Sequence, residues 1–147
     1  MVEEIKNIIL QNKGIFRQRK EILVVYLFGS QVSGFVGKES DFDLAVLVSD
    51  KNKISARELL RPLLVNNNNV PGNLHLSLIN LETSPLFLYQ IIKNGVCVYE
   101  KEPCERIKFE SQALSLYYDN EHLRNIYHYY LQKSFKEGNY GYRQKPA

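Results

Sequence analysis

Apolar positions along the chain fall into two kinds of pattern. Some are short unbroken runs, and others recur at helical spacing. Ile22 to Phe28 is a continuous run of β-branched, aromatic and aliphatic residues that ends at Gly29. Phe42 to Val48 has the same character. Such runs read as strands buried on both faces. Asn73 to Leu81 instead alternates, with His75, Ser77 and Ile79 on one face and Leu74, Leu76 and Leu78 on the other. Val96 to Glu100 predicts a last short strand.

The helical stretches lie between these runs. Val2 to about Asn12 places Ile5, Ile8 and Ile9 on one face, with Glu3 and Glu4 at the end that favours anions. Lys13-Gly14 is its stop signal, and Arg17, Gln18, Arg19 and Lys20 read as a solvated loop or, alternatively, as a contact with phosphate or a partner. Ile54 to Val65 spaces Leu59, Leu60, Leu63 and Leu64 helically, with Pro62 expected to kink or shorten the helix. Four asparagines and Pro71-Gly72 then mark a loop. Ser84 as N-cap and Pro85 at the first position open a helix over Leu86 to Lys93, which Asn94-Gly95 closes. Pro103 to Lys136 is helical with a break at Asp119-Asn120. Ile107, Leu114 and Tyr117 mark its first apolar face. Leu123, Ile126, Tyr127, Tyr130, Leu131 and Phe135 mark its second.

Composition narrows the class. The chain has 147 residues, 44% hydrophobic and 24% charged, which suits one globular domain. No apolar run approaches the roughly 20 residues of a membrane span, and MVEEIKNIILQNK lacks a secretory pattern. Cys97 and Cys104 form no metal or disulfide framework, so a reducing cytoplasm is the simplest compartment. A net charge of +3 is too mild for a nucleic-acid-binding signature. Seven of the ten tyrosines follow residue 116, and they either pack the last helices on the sheet or face a protein partner.

The chemistry concentrates between the first two strands. Asp41 and Asp43 are two apart in a strand, so their carboxylates share one face. Carboxylates held that close repel, and a divalent cation is the usual compensation. Mg²⁺ typically takes one or two carboxylates together with phosphate oxygens and water. Gly29 permits close approach of a phosphate to the backbone, and Ser30 and the amides after it can donate to phosphate oxygens. A phosphate cradle facing paired carboxylates suits metal-assisted nucleotidyl transfer.

Gly29-Ser30, ten residues, then Asp41-Phe42-Asp43 resembles the signature of the DNA polymerase β-type nucleotidyltransferase superfamily. YLFGSQVSG, SDFDLAVLV, SPLFLYQIIKNGVCVYE and FESQALSLYYD extend the likeness over nearly the whole chain, in the order of the minimal nucleotidyltransferases, the MntA-like antitoxins of HEPN-domain toxins. The resemblance implies an α/β (α+β) fold, a small mixed sheet flanked by helices with a C-terminal helical segment. It implies a nucleotidyltransferase core over 1–100, helices packed on the core or a partner over 101–137, and a polar tail over 138–147. It also implies that Asp41 and Asp43 hold Mg²⁺ and that Gly29 and Ser30 bind the triphosphate of ATP.

A third carboxylate is usual on a later strand of this superfamily, and here His75 stands in its place. His75 reads as a base or weaker ligand, as the mark of a chain that binds nucleotide without turnover, or as an ordinary strand histidine. Two functions follow from the resemblance. In one, the chain transfers AMP to a tyrosine of a cognate HEPN toxin, with which it forms a hetero-oligomer. In the other, it neutralises that toxin by binding alone. Transfer to a small-molecule acceptor calls for further substrate-binding structure that 147 residues leave little room for. Neither a membrane nor a nucleic acid is an expected partner.

Overall fold

A computed structural model of the chain describes residues 2–29, 42–66 and 74–138. The expected asparagine and Pro71-Gly72 loop, the segment holding Ser33, Gly34, Gly37 and Lys38, and the polar tail from Asn139 onward lie outside them. Two apolar runs form the centre of the fold, β1 (Ile22–Phe28) and β2 (Phe42–Val48). They pair antiparallel. β3 (Leu74–Ile79) lies parallel to β2, and β4 (Val96–Glu100) lies antiparallel to β1. The sheet order is β3-β2-β1-β4, a mixed sheet as the resemblance implies.

Both faces of the sheet are covered. On one side, Ile5 and Ile9 of α1 (Val2–Gln11), Phe16 of α2 (Lys13–Arg17) and Leu59 of α3 (Ala56–Asn66) pack on Val25, Leu27, Leu44 and Val46. On the other, Leu88 and Ile91 of α4 (Pro85–Asn94) and Phe109 and Ala113 of α5 (Pro103–Asp119) pack on Val24, Tyr26, Ala45, Leu47 and Ile79. Two covered faces explain why the central strands are apolar without alternation. β3 is an edge strand, and its His75 and Ser77 are exposed.

Several expectations change. Lys13-Gly14 does not leave the helical path, because the chain re-forms a short helix that seats Phe16 in the core, and Arg17 belongs to it. Pro62 lies inside α3 without ending it. Leu59, on the turn before, is almost completely buried and ties that helix to the sheet. In α5 the buried positions are Phe109 and Ala113, whereas Ile107 is 56% exposed. A helix sheltered along only a narrow strip buries two residues a turn apart and leaves its flanks in water. α6 (Glu121–Lys136) has no buried residue, and Leu123, Tyr127 and Tyr130 of its apolar stripe are largely exposed. Asn120, at φ −90° and ψ −1°, ends α5 and begins α6.

The junction of the last helices is aromatic. Tyr89 of α4 stacks on Tyr117 of α5 at 3.9 Å between centroids and 7° between planes. The Arg124 guanidinium of α6 covers the Tyr117 ring at 3.7 Å. A cation over a ring and a near-parallel aromatic pair are both attractive contacts, and here they orient a helix that contributes nothing to the core. No helix among the described residues is long and apolar enough to cross a membrane.

Candidate functional site

One end of the sheet gathers the chemistry. β1 finishes at Phe28, and Gly29 follows with φ at +111°. That backbone conformation is costly for any residue with a Cβ, so the chain turns there because position 29 is glycine. Ser30 and Asp41 lie outside the described residues. β2 re-enters at Phe42, and Asp43 pairs across the ladder with Phe28. On its other side Asp43 pairs with His75 of β3.

Phe28, Asp43 and His75 therefore form a row across three strands. Neighbouring strands lie about 4.8 Å apart, and side chains paired across a ladder project from the same face. The face is the one that carries Ala45 and Leu47, against which α4 and α5 pack. At this end of the sheet the helices leave Asp43 only partly covered and His75 exposed. Phe28 is braced edge-on by Phe87 of α4, with ring centroids 5.6 Å apart. The carboxylate thus stands between an apolar brace and an imidazole, open to solvent and close to the glycine turn.

The donor set suits a hard cation. A carboxylate oxygen is a preferred Mg²⁺ ligand, and a neutral imidazole is a weaker one for that ion. No cluster of three or more acidic, histidine or cysteine side chains placed to hold a metal occurs among the described residues. Among the described residues, Asp43 and His75 are the two such groups at this end of the ladder.

Hollows lined by described residues also occur away from this end of the sheet. One of about 310 Å³ opens between Leu47, Asn80, Glu82 and Phe109, at the far end of β2 from Asp43. Its charged lining residues are Glu82, Glu105 and Lys108.

Beneath the site, a polar network joins sheet and helix. The Tyr26 hydroxyl donates to Glu110 Oε1 of α5 at 2.9 Å. Arg106 binds both Glu110 and Glu100. Burial, and then the bond to the Glu110 carboxylate, pushes the Tyr26 phenol well above its ordinary 10.0. The bond to Glu100 leads the causes that raise Arg106 further, so it stays charged. Burial likewise raises the Cys97 thiol above its usual 9.0, and no reactive thiolate is set up there. The signal for this network in the sequence was Tyr26 itself, one hydroxyl in an aliphatic strand, which requires a partner once buried.

Gly95 is a further position that sequence patterning missed. It reads as a helix stop, yet it also lies against backbone. A Cβ built there would stand 2.4 Å from the Ile91 carbonyl oxygen and 3.3 Å from that of Leu27, two residues before Gly29.

Comparison with known proteins agrees with this frame. No curated protein sequence matches the chain. Among solved structures, a chain of a toxin–antitoxin complex with AMP-PNP superposes with a TM-score of 0.63 at 22% identity, covering 86% of this chain and 98% of that one. An MntA–HpeT toxin–antitoxin mutant gives 0.64 at 21% identity, with coverages of 86% and 98%. A tri-AMPylated HEPN toxin in complex with MNT antitoxin, from Shewanella oneidensis, gives 0.61 at 20% identity, with coverages of 90% and 99%. At these identities the likeness is one of fold. The sequence itself matches the family Polymerase beta, Nucleotidyltransferase over residues 10–103. That span holds all four strands and the glycine turn, and the chain belongs to the polymerase β-type nucleotidyltransferase family.

Proposed function

We propose that this chain is the antitoxin of a HEPN-type toxin–antitoxin pair and transfers AMP from Mg-ATP to a tyrosine hydroxyl of that toxin. The observation that carries the reading is the row Phe28–Asp43–His75 beside the positive-φ turn at Gly29, inside a nucleotidyltransferase fold. The similar complexes add support, since one contains AMP-PNP and another an AMPylated HEPN toxin with an MNT antitoxin.

In this reading Gly29 and Ser30 receive the triphosphate, with Gly29 allowing the backbone to approach it closely. Asp43, with Asp41, would hold Mg²⁺, which when bound lowers the charge on the phosphates and steadies the leaving group. The toxin tyrosine oxygen forms a bond to the α-phosphorus as the bond from that phosphorus to the bridging oxygen breaks. Pyrophosphate leaves with the bond electrons. The phenolic proton passes to His75, which stands next to Asp43 and is open to solvent. Positioning and electrostatics supply most of the acceleration in such reactions.

A second reading rests on a specific observation. His75 occupies the position where the resemblance implies a third carboxylate, and the tyrosine-rich surface of α6 is exposed. These favour an antitoxin that works by binding alone. Intact-mass measurement of the cognate toxin, after incubation with this protein, ATP and Mg²⁺, separates the two. Gain of whole AMP units, abolished by Asp43→Asn, supports transfer. An unchanged mass together with a stable complex on gel filtration overturns transfer in favour of binding.

A further inference from the structure

A second charged concavity lies away from the nucleotide end, at the free edge of the sheet. β4 is a terminal strand, and its outer edge pairs with no other strand among the described residues. Its ladder to β1 skips Val98, because Val25 pairs with Tyr99 while Tyr26 pairs with Cys97. A bulge of this kind bends the strand and leaves an unpaired residue, and it blunts the edge against addition of another strand. The edge is thus poorly suited to pair with a peptide.

A hollow of about 450 Å³ lies against this bulge. Lys13 and Arg17, four apart on α2, border it from one side, and Arg106 of α5 borders it from the other. Glu100 is the lining residue of opposite sign. Arg106 is already engaged by Glu100 and Glu110. Lys13 and Arg17 have no ion pair among the described residues, whereas nearby Arg19 reaches Glu58 at 3.4 Å. Lys13 and Arg17 are therefore the two lining cations without a carboxylate partner among the described residues, while Arg106 together with Glu100 and Glu110 carries one net negative charge. Tyr99 also lines the hollow, and burial raises its phenol above the usual 10.0, against a smaller opposing pull from Arg17, so it adds no negative charge there.

We infer that this hollow at the β4 edge is an anion site, distinct from the nucleotide site, that takes a small dianion of the phosphate-monoester class. The two unpaired cations supply one positive head for each charge of a dianion, and i, i+4 spacing lets the Lys13 and Arg17 heads converge on one oxygen cluster. A hollow of about 450 Å³ has room for a small phosphorylated molecule.

The test is titration of inorganic phosphate into the full chain at constant ionic strength, followed by backbone amide shifts. Saturable shifts at Gly14 to Arg17 and at Val98 to Glu100 are expected, distinct from any at Gly29 and Asp43. Losing a charge-assisted hydrogen bond weakens binding by about tenfold or more, so Arg17→Gln weakens the β4-edge response by at least that factor. Arg17 is exposed and Lys13 half-buried, so neither substitution threatens the core. Three results overturn the inference. One is the absence of saturable shifts at the β4 edge. Another is an unchanged affinity in the Lys13→Gln/Arg17→Gln double variant. The third is an identical response to chloride, which marks general screening.

Discussion

Gly95→Ala tests how closely the helix that backs the site is fitted to the strand that forms it. The added Cβ would sit 2.4 Å from the Ile91 carbonyl oxygen, which also accepts the Gly95 amide at 2.8 Å. An ordinary carbon–oxygen contact is about 3.2 Å or more, so roughly 0.8 Å of movement is required. Both neighbours are backbone atoms, Ile91 in α4 and Leu27 in β1, and neither moves alone. Relief either breaks the terminal hydrogen bond of α4 or pulls β4 away from β1. Overpacking typically costs about 1–3 kcal/mol, and a lost backbone hydrogen bond about 1 kcal/mol. Together they give a loss of about 2–4 kcal/mol. For a domain of this size each kcal/mol lowers Tm by roughly 3 °C, so a fall of roughly 6–12 °C is expected. Urea unfolding at fixed pH reports the free energy and calorimetry the Tm. A loss below about 0.5 kcal/mol would refute the reasoning, because it would mean that the α4–β4 joint yields freely.

Gly29→Ala forces a Cβ into a φ of +111° and should cost about 1–3 kcal/mol while weakening ATP binding, checked by urea melts and calorimetric titration. Tyr26→Phe removes the bond to Glu110 and should cost about 1–2 kcal/mol in chemical denaturation, with Arg106 left to hold Glu110. The same phenol predicts a pH dependence. Its folded pKa is raised above 10.0, so its contribution is complete below pH 10 and declines above it, where the unfolded chain ionises first. Melting curves in that alkaline range should fall less steeply for Tyr26→Phe than for the parent, and parallel slopes would contradict the assignment. Ending the chain after Asn120 should change Tm little, because α6 buries no residue and holds on chiefly through Arg124 over Tyr117. A large drop in a thermal melt would show that α6 supports the core.

Much of the fold is written in local pattern. Ile22 to Phe28 and Phe42 to Val48 are apolar without alternation, and only a strand covered on both faces satisfies such a run. Ser84-Pro85 and Asn94-Gly95 bracket α4 because capping and φ restrictions act within a few residues. Gly29 was legible for a related reason, since a glycine closing an apolar run signals a turn that other residues resist. His75 was placed by its alternation with Ser77 and Ile79, and the mixed sheet with flanking helices follows from the same patterns together with the family likeness.

Other features depend on which elements meet. Ile107 and Phe109 look equally fit for a core, and only the packing of α5 across β1 buries the second and exposes the first. The apolar stripe of α6 has the spacing of a packed helix, yet none of the residues of α6 is buried. That Asp43 stands beside His75 is a matter of register between strands about thirty residues apart in sequence. The bond from Tyr26 to Glu110 and the approach of Gly95 to Leu27 are likewise contacts between distant segments. Local sequence governs dihedral preference and periodicity, which are short-range. Register, partner and exposure are settled by how the faces of different elements compete for burial, and that competition is resolved only in the folded chain.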